Sequence, residues 1–310
     1  MLPSDTLISL REKLLDVVSN SDRAHALNPS ISRRTGQAST PDARPMNRDI
    51  AAELHDLLRE VLSRGLANHG RDVDYATLSA SSLYDEFRHC TGKLGDFDPS
   101  TLSDRNARLA FWINLYNTLV LDAVIALGVQ RSIMEQRAGI AFLRQAAYIV
   151  GGQRLSCDDI EHGILRANRG HPFYPGKQFQ SPDPRLKWVI EPFEARIHFA
   201  LNCASRSCPL IRSYLPEKLD SQLDLATRGY LRSDVQILPD ENTLRLSSIF
   251  KWFGADFGGR TGIIEFVLAH LSDEAEREWL LKERNRISLR YKPYDWSLNG
   301  KTQKSTQNSQ

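Results

Sequence analysis

The chain reads as an α+β protein, a mostly helical domain carrying a small antiparallel sheet. Three observations predict this. Apolar residues recur at helical spacing over residues 49–66, 75–90 and 103–127. Two β-rich runs fold back on turn residues, one around Gly151-Gly152 and one around residues 239–242. A third run, residues 196–201, is β-branched, aromatic and aliphatic enough for a central strand between the hairpins.

Taken in order, residues 7–18 space Leu7, Ile8, Leu10, Leu14, Leu15 and Val18 as one helix, capped by Ser4 or Asp5. Residues 19–47 turn polar and proline-bearing and read as a linker, so residues 1–48 form a helix plus flexible connection. That first helix offers a surface for a protein partner. The globular domain is expected over residues 49–299. It begins with an amphipathic helix carrying Ile50, Leu54, Leu57, Leu58, Val61 and Leu62 on one stripe. The helix over 103–127 is apolar nearly all round, which places it at the centre. Asn114 and Asn117 within it need hydrogen-bond partners. They either tie loop backbone or orient a catalytic imidazole. Ser156 opens a further helix, with Asp159 three residues on in a capping-box pattern. Asp158, His162 and Arg166 share one face of it. Residues 167–184 form a long Gly/Pro-rich loop whose Phe173 and Tyr174 could cover a cleft. A helix over 216–231, the second hairpin, two short helices and a last strand near 287–291 follow. Residues 300–310 are a polar, disordered tail.

Composition narrows the function classes. The 310 residues are 41% hydrophobic and 25% charged, ordinary for a soluble globular protein. A net charge of +2 gives no case for nucleic acid or an anionic membrane as partner. No apolar run approaches the roughly 18–20 residues of a membrane span. The N-terminus lacks the basic region of a signal peptide, and four cysteines do not make a disulfide scaffold. The expected location is therefore the cytoplasm, with reduced thiols. Neither a phosphate loop nor a dinucleotide signature occurs, so no cofactor is expected.

The chemistry concentrates in residues 195–209, ARIHFALNCASRSCP. As a strand, this run would face His198, Ala200 and Asn202 one way and Ile197, Phe199, Leu201 and Cys203 the other. Ser207, Cys208 and Pro209 read as the start of a helix, whose dipole would favour a thiolate. Four readings of the two cysteines compete. One is nucleophilic catalysis, with an imidazole supplying the base. A Cys-x4-Cys metal site with His198 or His162 lacks a second ligand pair, so no metal is expected. A redox disulfide lacks the two-residue spacing of thioredoxin-like motifs. The last is a purely structural role as small buried thiols.

His-Phe-Ala-Leu-Asn-Cys followed by Ser-Cys-Pro resembles the signature of the family of domains of unknown function 547. FWINLYN at 111–117, DIEHGILR at 159–166, IFKWFGADF at 249–257 and YDWSLN at 294–299 agree with it in order. The resemblance spans about residues 100–299. Some plant members carry a leucine-zipper segment and some animal members sit beside glutaredoxin-like or DEP modules. The resemblance therefore implies thiol chemistry or protein assembly, without an assigned activity.

The leading expectation is a thiol-dependent hydrolase or transferase acting on an amide or thioester, with a small-molecule or protein substrate. Cys203 or Cys208 is the nucleophile, His198 or His162 the base, and Asn202, Asn114, Asp158 or Glu161 the support. The spacing matches no standard cysteine-protease motif, so any likeness to papain-like or transglutaminase-like enzymes is expected in architecture alone. The alternative is a non-catalytic interaction or scaffolding domain.

Overall fold

The computed structural model of the chain describes residues 26–29, 46–67, 70–102, 104–135 and 140–301. The expected N-terminal helix, its partner surface and the tail beyond residue 301 lie outside them.

Helix α1 (Met46–Gly65) buries Ile50, Leu54, Leu58 and Val61, the predicted stripe. It packs on α2 (Tyr75–Ser79) and α3 (Ser82–Lys93), and a two-residue ladder of β1 (Leu66–Ala67) and β2 (Asp72–Val73) joins these parts. Helix α4 (Arg105–Ala126) is the centre of the molecule. Asp104 caps it by accepting the Ala107 N–H at 2.8 Å, and every residue from Leu109 to Val124 is buried. By length and apolar content α4 is sufficient to cross a bilayer, contrary to the expectation that no such run exists; here protein surrounds it. Its one buried acid, Asp122, accepts from the Tyr84 and Tyr148 hydroxyls and from Arg88, at 2.5, 2.8 and 2.9 Å. Burying a carboxylate requires this kind of complete pairing.

After α5 (Ile140–Gln145) comes the first hairpin, β3 (Ala147–Val150) with β4 (Gln153–Ser156), turning at Gly151 and Gly152 as predicted. Gly151 has φ +54°, and a Cβ there would meet the Phe97 carbonyl oxygen at 2.9 Å. Part of the expected linker is structured. Leu27 N–H donates to Ala147 O at 2.8 Å, and the Asn28 amide accepts from Ile149 N–H and donates to Ile149 O. One asparagine side chain thus satisfies both exposed backbone groups of an edge residue. Ser156 and Asp159 then cap each other reciprocally at 2.8–3.2 Å, as the capping-box pattern predicts. The segment they open winds into a π-helix, Asp159–Leu165.

The C-terminal part contains α6 (Leu219–Asp234), β5 (Gln236–Leu238), β6 (Thr243–Leu246), α7 (Ser248–Trp252), α8 (Gly259–His270), α9 (Glu274–Glu283) and β7 (Ser288–Tyr291). β5 and β6 form the second hairpin, and β7 runs parallel to β6 with Leu289 beside Leu244. A second apolar core gathers here around Phe199, Phe250 and Phe257.

Two expectations about the centre fail. The run expected to be a central strand is a 3₁₀ helix, Ala195–Phe199. Glu194 caps it by accepting the Arg196 N–H at 3.2 Å, and Ile197, His198 and Phe199 are all buried. Three consecutive inward side chains are incompatible with strand alternation. The hairpins consequently belong to separate small sheets. Nor does a helix begin at Pro209: the chain stays irregular until the short 3₁₀ turn Pro216–Lys218 that leads into α6. The expected dipole of a helix starting at Pro209 is therefore not there to act on Cys208.

Candidate active site

The site is built on the loop from Asn202 to Pro209, and α4 braces it. The Asn117 amide donates to Ala200 O at 3.0 Å and accepts from Asn202 N–H at 3.0 Å. One turn earlier Asn114 does the same for Tyr214, donating to its carbonyl and accepting from its N–H at 2.8 Å each. Asn202 closes the loop on itself, donating to Pro209 O at 2.6 Å and accepting from Ala204 N–H at 2.7 Å. Ala204 is held at φ +64°, a left-handed conformation that a residue with a Cβ adopts only when its surroundings dictate it. The folded loop brings the sulfurs of Cys203 and Cys208 to 2.7 Å, with both cysteines half-buried and unbonded.

Donors converge on Cys208. Its sulfur accepts from the Cys203 backbone N–H at 3.1 Å, and the hydroxyls of Tyr294 and Ser205 lie at 3.1 and 3.2 Å. The same hydroxyls are farther from Cys203, at 3.8 and 3.5 Å. The two thiols are driven apart accordingly. Burial pushes Cys208 up, but hydrogen bonds from the Cys203 thiol, Ser205 and Tyr294 outweigh it and bring it down to about 6. Cys203 goes well up, through its hydrogen bond to Cys208 and through burial. The donors therefore favour the thiolate at Cys208 over Cys203.

Cys203 and Cys208 both line a cavity of about 120 Å³. Trp252, Tyr294 and Trp296 form one wall, with ring centroids 4.6–5.4 Å apart. The π-helix contributes Glu161 and His162 to the same cavity although they are adjacent in sequence. Glu161 accepts from the Tyr116 hydroxyl at 3.1 Å, and burial raises its carboxyl to about 7 despite Arg166 and Tyr116.

Residues 99–231 match the family described as a protein of unknown function, DUF547. This segment is a DUF547 domain. No curated protein and no solved structure matches the chain, so the expected architectural likeness to papain-like or transglutaminase-like enzymes gains no support. The DUF547 segment supplies α4, the first hairpin, the π-helix and the two-cysteine loop. The cavity is completed from outside it, by Trp252, Phe253, Tyr294 and Trp296.

His198 and His162 also line this cavity, but among the described residues no sulfur is hydrogen-bonded to an imidazole. His198 Nε2 pairs with Asp256 Oδ2 at 2.9 Å while its ring stacks on Phe253 at 4.2 Å. Arg166 and Arg169 also bind Asp256, at 2.6 and 2.9 Å. Burial opposes ionisation of Asp256, but His198 and Arg166 hold it well below the usual carboxylate range. Burial lowers His198 more than Asp256 raises it, which leaves the imidazole neutral. Arg166 lies 3.0 Å from His162 Nδ1, and a guanidinium can only donate, so the His162 proton sits on Nε2. Burial, then His171 and Arg166, push His162 well down. Asp158 reaches only to 4.0 Å from His162 Nε2.

Of the residues expected at the site, Cys203, Cys208, His198, His162 and Glu161 meet at one cavity. Asn114 and Asn202 bond backbone, and Asp158 is not among the residues that line it. Sequence reasoning missed Tyr294, Ser205, Tyr116 and the His198–Asp256 pair. Tyr294 and Asp256 stood inside recognised motifs, YDWSLN and IFKWFGADF, and polar residues amid such aromatic runs were the available signal. Among the described residues no group of three or more His, Cys, Asp or Glu could hold a metal ion.

Proposed function

We propose that the protein is a thiol-dependent acyl hydrolase or transferase in which Cys208 is the nucleophile and Glu161 the proton carrier. The observation that carries this reading is the set of donors on one sulfur: the Cys203 N–H and the Ser205 and Tyr294 hydroxyls, all within 3.2 Å of Cys208 at the wall of an aromatic cavity. Such donors favour the thiolate at neutral pH, where it attacks an acyl carbon. The Cys208–carbon bond forms and the bond to the leaving thiol breaks. The leaving sulfur takes the proton of the Glu161 carboxyl, whose titration near 7 suits both proton donation and return. The Glu161 carboxylate then removes a proton from the water or acceptor that releases the acyl group. His198, neutral and paired with Asp256, is a polar group at the same wall.

A second reading, dithiol–disulfide exchange, is favoured by the 2.7 Å approach of Cys203 to Cys208. There Cys208 displaces a thiolate from a disulfide substrate. Cys203 then displaces the second thiolate, leaving a Cys203–Cys208 disulfide and two reduced thiols. Replacing Cys203 by serine separates the two readings: acyl transfer survives it and exchange does not.

The test is the alkylation rate of each cysteine by iodoacetamide from pH 5 to 9, followed by peptide mass spectrometry. Cys208 is expected to react fastest, with a midpoint near 6. Cys90, raised by burial to about 12, and buried Cys157 are expected to stay inert. Four equally slow thiols would remove the enzyme and leave an interaction domain.

A further inference from the structure

Cys208 borders a second cavity, of about 500 Å³, whose chemistry is the opposite of the first. Four arginines line it, Arg71, Arg206, Arg212 and Arg232, against one carboxylate, Asp234. That carboxylate already faces Lys292 at 3.5 Å. Arg206 pairs with Asp72 at 3.2 Å. Among the described residues the guanidinium groups of Arg71, Arg212 and Arg232 have no carboxylate within ion-pair distance, and Arg212 is half-buried in that state. The whole chain has 40 basic and 38 acidic residues, so a four-to-one surplus in one groove is a local feature, not a reflection of overall charge. The aromatic cavity on the same cysteine has neither lysine nor arginine in its lining. Tyr230, which lines the same groove, donates its hydroxyl to Ser207 O at 3.0 Å.

We propose that the arginine groove binds the anionic end of the substrate, so that an acyl thioester lies across Cys208 with its acyl group in the aromatic cavity and its charged thiol portion among the arginines. This rests on Cys208 being the nucleophile and adds the class of substrate: a thioester of a phosphate- or carboxylate-bearing thiol. Guanidinium groups recognise both anions by paired, charge-assisted hydrogen bonds. The division into one apolar and one cationic cavity selects an amphiphilic molecule and places its junction, the scissile bond, at the sulfur.

The test uses the full chain, with inorganic pyrophosphate and citrate as probes for the two anion classes. Affinity is measured by calorimetry for the natural protein and for the double variant Arg212→Ala/Arg232→Ala. At least one probe is expected to bind, and the double variant to bind it at least about tenfold more weakly, since each charge-assisted contact removed is worth several-fold. The saturating probe is also expected to slow iodoacetamide alkylation of Cys208 several-fold in the natural protein and not in the variant. Whichever probe binds more tightly identifies the anion. Absence of binding by both, or equal affinity in the variant, overturns the groove. Fast Cys208 alkylation without any anion effect sinks the groove and leaves the nucleophile standing. Anion binding lost in the variant, with a sluggish Cys208, sustains the groove and removes the nucleophile.

Discussion

Replacing Glu161 with glutamine should stabilise the fold at alkaline pH and leave it nearly unchanged in acid. Burial raises this carboxyl from 4.5 to about 7. A group whose folded pKa is raised contributes stability in full below its unfolded pKa and loses it as pH rises through the folded value. For Glu161 the loss runs between about pH 4.5 and 7. A displacement of that size corresponds to about 3 kcal/mol in total, most of it falling between pH 5 and 8. Glutamine keeps an oxygen to accept from Tyr116, now at 3.1 Å, and has nothing to ionise. Urea unfolding of both proteins at pH 5, 6, 7 and 8 gives the stability difference directly. Cys208 titrates in the same range with the opposite sign, since its folded pKa is depressed, and subtraction of the two curves removes all of it but its coupling to Glu161. The variant's advantage should grow by about 2–3 kcal/mol from pH 5 to 8. A difference flat across that range would refute the raised carboxyl, and with it the role of Glu161 as a proton carrier near neutrality.

Other perturbations test the frame. Asp122→Ala leaves Arg88 and the Tyr84 and Tyr148 hydroxyls without their shared acceptor beside α4, so denaturant unfolding should show a loss of about 3–5 kcal/mol. Gly163→Ala puts a Cβ 2.3 Å from the Phe179 ring, which should cost about 1–3 kcal/mol, and Phe179→Leu in the same chain should return part of it.

The parts of the fold legible in the sequence are those set by neighbours along the chain. α4 was readable because it is apolar all round with Asp104 before it, and the first hairpin because Gly151-Gly152 can take positive φ. The reciprocal Ser156–Asp159 cap was readable from a three-residue spacing. The run 196–201 misled because a short apolar stretch suits a strand or a helical turn equally well. Glu194, two residues before Arg196, tips it to a 3₁₀ turn. Leu27 and Asn28 looked like linker because their hydrogen-bonding groups lie some 120 residues away; the Asn28 to Ile149 separation is 121.

The candidate site divides along the same line. By itself the sequence determined which reactive side chains the chain carries and that two cysteines lie five residues apart: Cys203, Cys208, His198, His162 and Glu161 were all named from it, while the one loop that holds both cysteines came from the fold. Tertiary structure alone decided which sulfur the donors favour, because the Tyr294 hydroxyl that reaches Cys208 comes from 86 residues further on. It also decided that His198 answers to Asp256, 58 residues away, instead of to a thiol. The physical reason is range. Helix spacing, turns and caps act over a few residues and are written locally, whereas a pKa is set by whichever donors, charges and hydrocarbon the fold brings within a few ångströms.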